Sequence, residues 1–85
     1  MTKTITVRHF ASIREAMGTG EETWATTAPT VAALRQELAG RSAQAALALA
    51  ENQPVRLALN QAMCPPDAPI APGDEVAFFP PVTGG

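Results

Sequence analysis

The side chains that could do chemistry in this sequence are few, and each lacks the partners that its chemistry would need. Cys64 is the only cysteine, so an internal disulfide is excluded and a cysteine-based metal site is not expected. His9 is the only histidine, which favours a structural role over a catalytic or metal-binding one. The acidic pairs at 21–22 and 74–75 lie near predicted turns, where we expect solvated charge and no acid–base catalysis.

The last eight residues, FFPPVTGG, offer another reactive group, the carboxylate at the end of the chain. Pro80 and Pro81 cannot donate ladder hydrogen bonds, so we expect the sheet to end at about Phe79 and the remainder to project. The segment 80–85 spans at most ~20 Å, which is enough to place the carboxylate in another protein's cleft. Its two terminal glycines lack Cβ atoms and can pass through a narrow channel. The alternative is a frayed terminus without function.

Length and composition predict one small domain and exclude several classes of partner. The 85 residues carry a net charge of -2, and 46% of them are hydrophobic. The six lysines and arginines form no basic run, which argues against nucleic-acid binding. No apolar run approaches the ~20 residues of a membrane span, and the polar start MTKTITVRH is unlike a signal peptide. We therefore expect a cytoplasmic protein that binds no membrane.

The first half of the chain has the pattern of two strands and a main helix. TITVRHF alternates and predicts a first strand, and the threonine-rich EETWATT predicts a second strand that pairs back on it. Between them, Ser12 and Glu15 have capping-box spacing, and Gly18 is placed to end a short helix. Thr30 is predicted to cap the main amphipathic helix, which ends at Gly40.

The second half is predicted to add a weaker helix and the remaining strands. Residues 42–50 are alanine-rich and helical in pattern, VRLALN alternates like a third strand, and EVAFF reads as the last strand. The proline-rich segment between these strands tolerates at most a short edge strand. This order predicts an α+β fold with a mixed sheet wrapped around one main helix and additional short helices. The predicted core consists of the apolar residues on the inward faces, namely Ile5, Val7, Val31, Leu34, Leu38, Leu57, Leu59, Val76 and Phe78.

Three large apolar side chains are out of phase with this core. Phe10 lies on the polar face of the first strand, Phe79 is one step out of register with Phe78, and Met63 falls in a polar turn region. If they are exposed together, they mark a protein interface. The alternative is that bulges or strand ends tuck them into the core.

Several blocks of residues give the chain a likeness to a known family. They are Phe10-Ala11, Arg14-Glu15, Gly18, Asn60-Gln61 and GDEVAFFPPVTGG from Gly73 to Gly85. With them the whole chain resembles the small sulfur-carrier subunits of molybdopterin synthase, and the C-terminal block is the specific part. The resemblance implies a ubiquitin-like β-grasp domain over residues 1–79 and a flexible tail over 80–85.

The resemblance also implies a chemistry for the chain end. In this family an E1-like adenylyltransferase uses Mg-ATP to convert the terminal carboxylate, here on Gly85, into an acyl-adenylate, and a sulfur donor then displaces AMP. A carboxylate of pKa ~3.5 is an unreactive anion at neutral pH without such activation. The thiocarboxylate enters the large synthase subunit, in a complex with two copies of each subunit, and donates sulfur to a pterin precursor. The carrier is not catalytic alone, since the acid–base groups belong to the large subunit, and it binds no permanent cofactor.

The resemblance assigns two further sets of residues. The residues that enter the partner with Gly85 are Gly84, Thr83, Val82, Pro81 and Pro80. The hydrophobic partner contacts are Phe10, Met63 and Phe79, which the phase argument singles out independently.

Two alternatives remain at this stage. The nearer one is a thiocarboxylate carrier for thiazole or cysteine synthesis, although the match over FFPPVTGG and the inserted second helix favour molybdopterin synthesis. The other is a ubiquitin-like protein modifier or interaction module, whose carboxylate forms an isopeptide or does no chemistry.

Overall fold

Eight elements make up the part of the chain described by the structure, a computed structural model that covers residues 2–80. In chain order they are β1 (Lys3–His9), α1 (Ala11–Met17), β2 (Glu21–Thr26), α2 (Val31–Ala39), α3 (Ala43–Ala48), β3 (Arg56–Leu59), β4 (Ala62–Met63) and β5 (Glu75–Phe79).

The five strands form one mixed sheet in the order β2-β1-β5-β3-β4. β1 and β5 are parallel, and the other neighbouring strands are antiparallel. Inward side chains of β1, β3 and β5 form a single cluster with the buried face of α2, so the helices cover one face of the sheet. We call the opposite face the outer face. This arrangement confirms the predicted α+β class with a mixed sheet.

The main helix α2 follows its sequence signals closely. The Thr30 hydroxyl accepts a hydrogen bond from the Ala33 amide at 3.2 Å, which satisfies one of the free N–H groups of the first turn. Val31, Leu34 and Leu38 are fully buried at helical spacing, and Gly40 stands at the C-cap as predicted.

The first helix begins differently from its prediction. The capping box of Ser12 and Glu15 is wrong, because α1 starts at Ala11 and Phe10 is its N-cap, with no side-chain capping bond. The Phe10 carbonyl instead accepts hydrogen bonds from the amides of residues 13 and 14, at 3.1 and 3.3 Å. The end of the helix is as predicted, since Gly18 has φ 81 and its amide donates to the Arg14 carbonyl.

Met63 lies in a strand, whereas the sequence pattern placed it in a turn. Leu59 pairs with Ala62, so the hairpin between β3 and β4 has a loop of two residues, Asn60 and Gln61. Both have positive φ, of 51° and 68°, which is the conformation that a tight two-residue hairpin requires. The side-chain oxygen Oδ1 of Asn60 accepts a hydrogen bond from the Glu75 amide at 3.0 Å and ties this turn to β5.

The predicted core is largely confirmed, but it was incomplete. Eight of the nine predicted residues are buried in the core cluster, and Leu59 is packed against it while half-buried. The cluster also contains Ile13 of α1, Leu49 after α3 and Ile70 of the proline-rich segment. Ile70 has no strand around it and is held by a hydrogen bond from its amide to the Pro29 carbonyl at 3.1 Å.

Candidate functional site

The out-of-phase aromatic side chains meet on the outer face where β1 and β5 end. The Phe10 amide donates to the Phe78 carbonyl at 3.2 Å, which continues the β1–β5 pairing beyond His9 and sets Phe10 beside Phe79. Their rings pack edge to face, with centroids 6.0 Å apart and planes at 88°. Phe10 remains 40% exposed and Phe79 is half-buried. Exposed aromatic pairs of this kind are common anchors of protein interfaces.

Met63 lies on the same face, at the far side of a floor of small side chains. The strand register aligns Ala77, Ala58 and Met63 side by side across β5, β3 and β4. Met63 is 59% exposed, whereas Ala58 and Ala77 are nearly buried beneath their larger neighbours. We call the surface formed by Phe10, Phe79, Ala77, Ala58 and Met63 the outer-face patch.

Two arginines border this patch, and sequence reasoning did not assign them to the site. Arg8 pairs with Ala77 in the register of β1 and β5, and its guanidinium carbon lies 5.4 Å from the centre of the Phe10 ring. Arg56 pairs with Phe79 in the register of β3 and β5 and is exposed. Strand alternation had placed both arginines on the same side of their strands as the outer-face residues. That placement was the signal that could have assigned them to the border of the patch.

The root of the tail lies close to this patch. Phe78 is fully buried, Phe79 follows on the outer face, and Pro80 is half-buried. Pro80 also lines an open apolar cleft of about 370 Å³, together with residues of α1 and α3 that include Ile13 and Leu47. The other predicted tail residues, Pro81, Val82, Thr83, Gly84 and Gly85, lie outside the described residues.

The surroundings of His9 and Cys64 are those of residues with structural roles. His9 is buried, its Nε2 lies 2.9 Å from a carboxylate oxygen of Glu22, and its ring stacks on Phe78 with centroids 6.1 Å apart. Burial raises the pKa of the Cys64 thiol, which disfavours the reactive thiolate. Both observations agree with the structural roles predicted for these two residues.

Glu22 corrects the prediction that the acidic pairs are solvated. Its carboxylate is half-buried and accepts hydrogen bonds from Arg41 at 2.7 Å and from His9. Burial acts to raise the pKa of Glu22, but the hydrogen bonds and charges of Arg41 and His9 outweigh it and hold the pKa below its ordinary value of 4.5. The carboxylate is thus a fixed part of the fold.

Within residues 2–80, no helix is long and apolar enough to cross a bilayer.

Comparison with solved structures defines the class of protein. The Haloferax volcanii protein HVO 2177 is similar with a TM-score of 0.84 and 28% identity over 99% of this chain and 88% of that chain. A putative molybdopterin converting factor subunit 1 from Pyrococcus furiosus gives a TM-score of 0.77 and 26% identity over 94% and 99%. A solved protein–protein complex contains subunits 1 and 2 of the molybdopterin-converting factor from Helicobacter pylori. The chain matched in that complex is similar with a TM-score of 0.62 and 26% identity over 96% of this chain and 99% of that chain. The fold is a ubiquitin-like β-grasp.

Sequence comparison narrows this class to a family. Residues 7–85 match the ThiS family. The molybdopterin synthase sulfur carrier subunit of Escherichia coli is 51% identical over 95% of this chain and 99% of its own length, and that of Haemophilus influenzae is 40% identical over the same shares. The chain therefore belongs to the ThiS family and, within it, to the molybdopterin synthase sulfur carrier subunits.

Proposed function

We propose that this protein carries sulfur for molybdopterin synthesis as a thiocarboxylate on Gly85. The observation that carries the proposal is the 51% identity to the E. coli sulfur carrier subunit over 99% of that protein's length. A 40% identical relative of the same name supports it. The outer-face patch adds a physical reason, because a carrier must be recognised by the proteins that load and unload it.

The reaction begins at the terminal carboxylate. A carboxylate anion resists nucleophilic attack, so an E1-like adenylyltransferase first joins the Gly85 carboxylate to the α-phosphate of Mg-ATP and releases pyrophosphate. A donor of sulfur at the oxidation level of sulfide then attacks the acyl carbon, and the new C–S bond replaces the C–O bond to AMP, which leaves a thiocarboxylate. Gly84 and Gly85 suit both steps because they place no side chain around the reacting carbonyl.

The large synthase subunit is the proposed acceptor of this thiocarboxylate. The Helicobacter pylori complex of subunits 1 and 2 supports such a pairing for this chain. We propose that the partner binds the outer-face patch while residues 80–85 reach its active site, where the sulfur attacks a pterin precursor. Two carriers would supply the two sulfurs of the product in a complex with two copies of each subunit. Because loading uses ATP, we propose that the protein works in the cytoplasm.

Intact-mass spectrometry tests the proposal directly. After incubation with activating enzyme, Mg-ATP and a sulfur donor, the chain should gain the mass difference between sulfur and oxygen at its C-terminus. The charged protein mixed with the large subunit and pterin precursor should then yield molybdopterin.

Two variants provide the controls. A chain without Gly85 and the Gly84→Ala variant should lose charging or transfer, while their thermal unfolding stays unchanged, since both changes lie outside the core cluster formed within residues 2–80. A fully active truncated chain would contradict the mechanism. Attachment to lysines of other proteins, with no exchange of oxygen for sulfur, would identify a protein modifier instead.

A further inference from the structure

The outer-face patch has a charge pattern that indicates the chemistry of its partner. Arg8 and Arg56 stand at opposite corners of the patch, two strands and one row of side chains apart. We infer that the patch binds a protein surface with an apolar side chain at its centre and carboxylates at its border. This inference rests on the proposed function, because it takes the large synthase subunit as the protein that carries this surface.

Of the two arginines, Arg56 is the more accessible to a partner. It is exposed on β3 beside Phe79, and none of the ion pairs formed within residues 2–80 includes it. The guanidinium of Arg56 offers a planar set of donors that matches the geometry of a carboxylate. A partner carboxylate over Arg56 would therefore gain a charged hydrogen bond without breaking one inside this protein.

Arg8 adds a second, more constrained cationic group. Its Nε lies 3.5 Å from a carboxylate oxygen of Glu21, and a terminal nitrogen lies 4.0 Å from one of Glu75. Both separations exceed a good hydrogen bond, and the Nε group has no hydrogen-bond acceptor within residues 2–80. The two glutamates partly neutralise the guanidinium beside Phe10, so Arg8 should contribute less than Arg56 to binding a partner's carboxylate.

The floor of the patch explains why the centre of the partner surface should be apolar. Ala58 and Ala77 are neighbours in the register of β3 and β5, and each is less than a tenth exposed. In the strand register these two small side chains lie between the longer Arg8 and Met63. An apolar side chain of the partner packed over the two alanines would exclude water from the arginines at the border and strengthen their ion pairs.

Binding measurements with charge variants test this inference. We would titrate the full chain with the large subunit of the same organism by calorimetry, at about 50 mM and about 500 mM NaCl. Arg56→Ala should weaken binding about threefold and Arg56→Glu about tenfold at low salt, and both differences should shrink at high salt. Arg14→Glu makes the same charge change on α1, on the helix side of the sheet, and should bind like the unaltered chain.

A charge-swap experiment identifies the partner group. Replacing acidic surface residues of the large subunit with lysine, one at a time, should yield a variant that binds Arg56→Glu better than it binds the unaltered chain.

Each remaining outcome would overturn the inference in a distinguishable way. If the unaltered chain binds the large subunit while Arg56→Glu binds equally well at both salt concentrations, the acidic border is refuted and the proposed function stands. If the unaltered chain does not bind the large subunit at all, the proposed function fails as well. If sedimentation shows that the chain alone dimerises and that Arg56→Glu abolishes the dimer, the occupant is a second copy of this chain.

Discussion

Phe78 and Phe79 are adjacent in β5 but face opposite sides of the sheet, so their replacement by alanine should give opposite results in two assays. Phe78 is fully buried in the core, whereas Phe79 is half-buried and contacts Phe10 on the outer face. Phe78→Ala should impair folding. Phe79→Ala should impair partner binding.

The structure sets the expected sizes of these effects. Loss of a fully buried phenylalanine ring costs about 3–5 kcal/mol. A domain of this length has a total stability of roughly 4–13 kcal/mol, so Phe78→Ala removes a large share of it. Phe79→Ala loses part of its burial and an edge-to-face contact, which amounts to about 1–2 kcal/mol. If Phe79 anchors the partner, its loss should weaken binding by about 2 kcal/mol, or roughly thirtyfold.

Urea unfolding and calorimetry separate the two effects. Trp24 is the only tryptophan and the chain has no tyrosine, so its fluorescence reports unfolding without interference. Binding to the large subunit is measured on the folded variants, with Phe78→Leu as the substitute if Phe78→Ala does not fold. Equal destabilisation by the two alanine variants would refute the assignment of opposite faces. Unchanged affinity of Phe79→Ala would refute the role of the patch.

Two further predictions concern stability. The pKa of Glu22 in the folded protein is below its ordinary value of 4.5. The stability that the ionised Glu22 carboxylate contributes is therefore complete above pH 4.5 and is lost as the pH falls through the lowered pKa. The difference in urea midpoint between the unaltered chain and Glu22→Gln should therefore be larger at neutral pH than in acid, and a difference that grows in acid would contradict the ion-pair geometry. Gly18→Ala should cost about 1 kcal/mol, because φ is 81° there. Gly40→Ala, at φ -79 with only ordinary contacts to its Cβ, should instead keep or slightly raise the thermal unfolding temperature, because alanine restricts the unfolded chain.

Most features set by near neighbours in the chain could be predicted from the sequence, the start of α1 being an exception. The Thr30 cap, the buried spacing of α2 and the left-handed Gly18 each depend on a few consecutive residues. Strand alternation works in the same way: it identified Phe10 and Phe79 as out of phase with the core, and the structure decides between an exposed patch and burial by bulges.

Features set by the register between distant segments could not be predicted. Glu22 reaches His9 only because β2 pairs with β1, and Arg56 reaches Phe79 only because β3 pairs with β5. The pairing of β2 with β1 was predicted, but nothing in the periodicity of the strands fixes the register of either pairing. Ile70 was missed for a related reason, since turns bury it within a proline-rich segment that has no repeating pattern.

The core, the outer-face patch and the tail meet within the few residues from Phe78 to Pro80, and this closeness affects the kinetics of sulfur transfer. A partner that binds the outer-face patch holds Pro80 nearby, and Gly85 then lies within the ~20 Å that the segment 80–85 can span. Entry of the tail becomes an intramolecular step at a high effective concentration, although neither the patch nor the tail needs to bind tightly alone. A weakened patch should therefore raise the carrier concentration needed for half-maximal sulfur transfer and leave the rate at saturation nearly unchanged. Removal of Gly85 should abolish transfer at every concentration, because the carboxylate of the shortened chain, on Gly84, ends about 3.5 Å short of the position that Gly85 would reach.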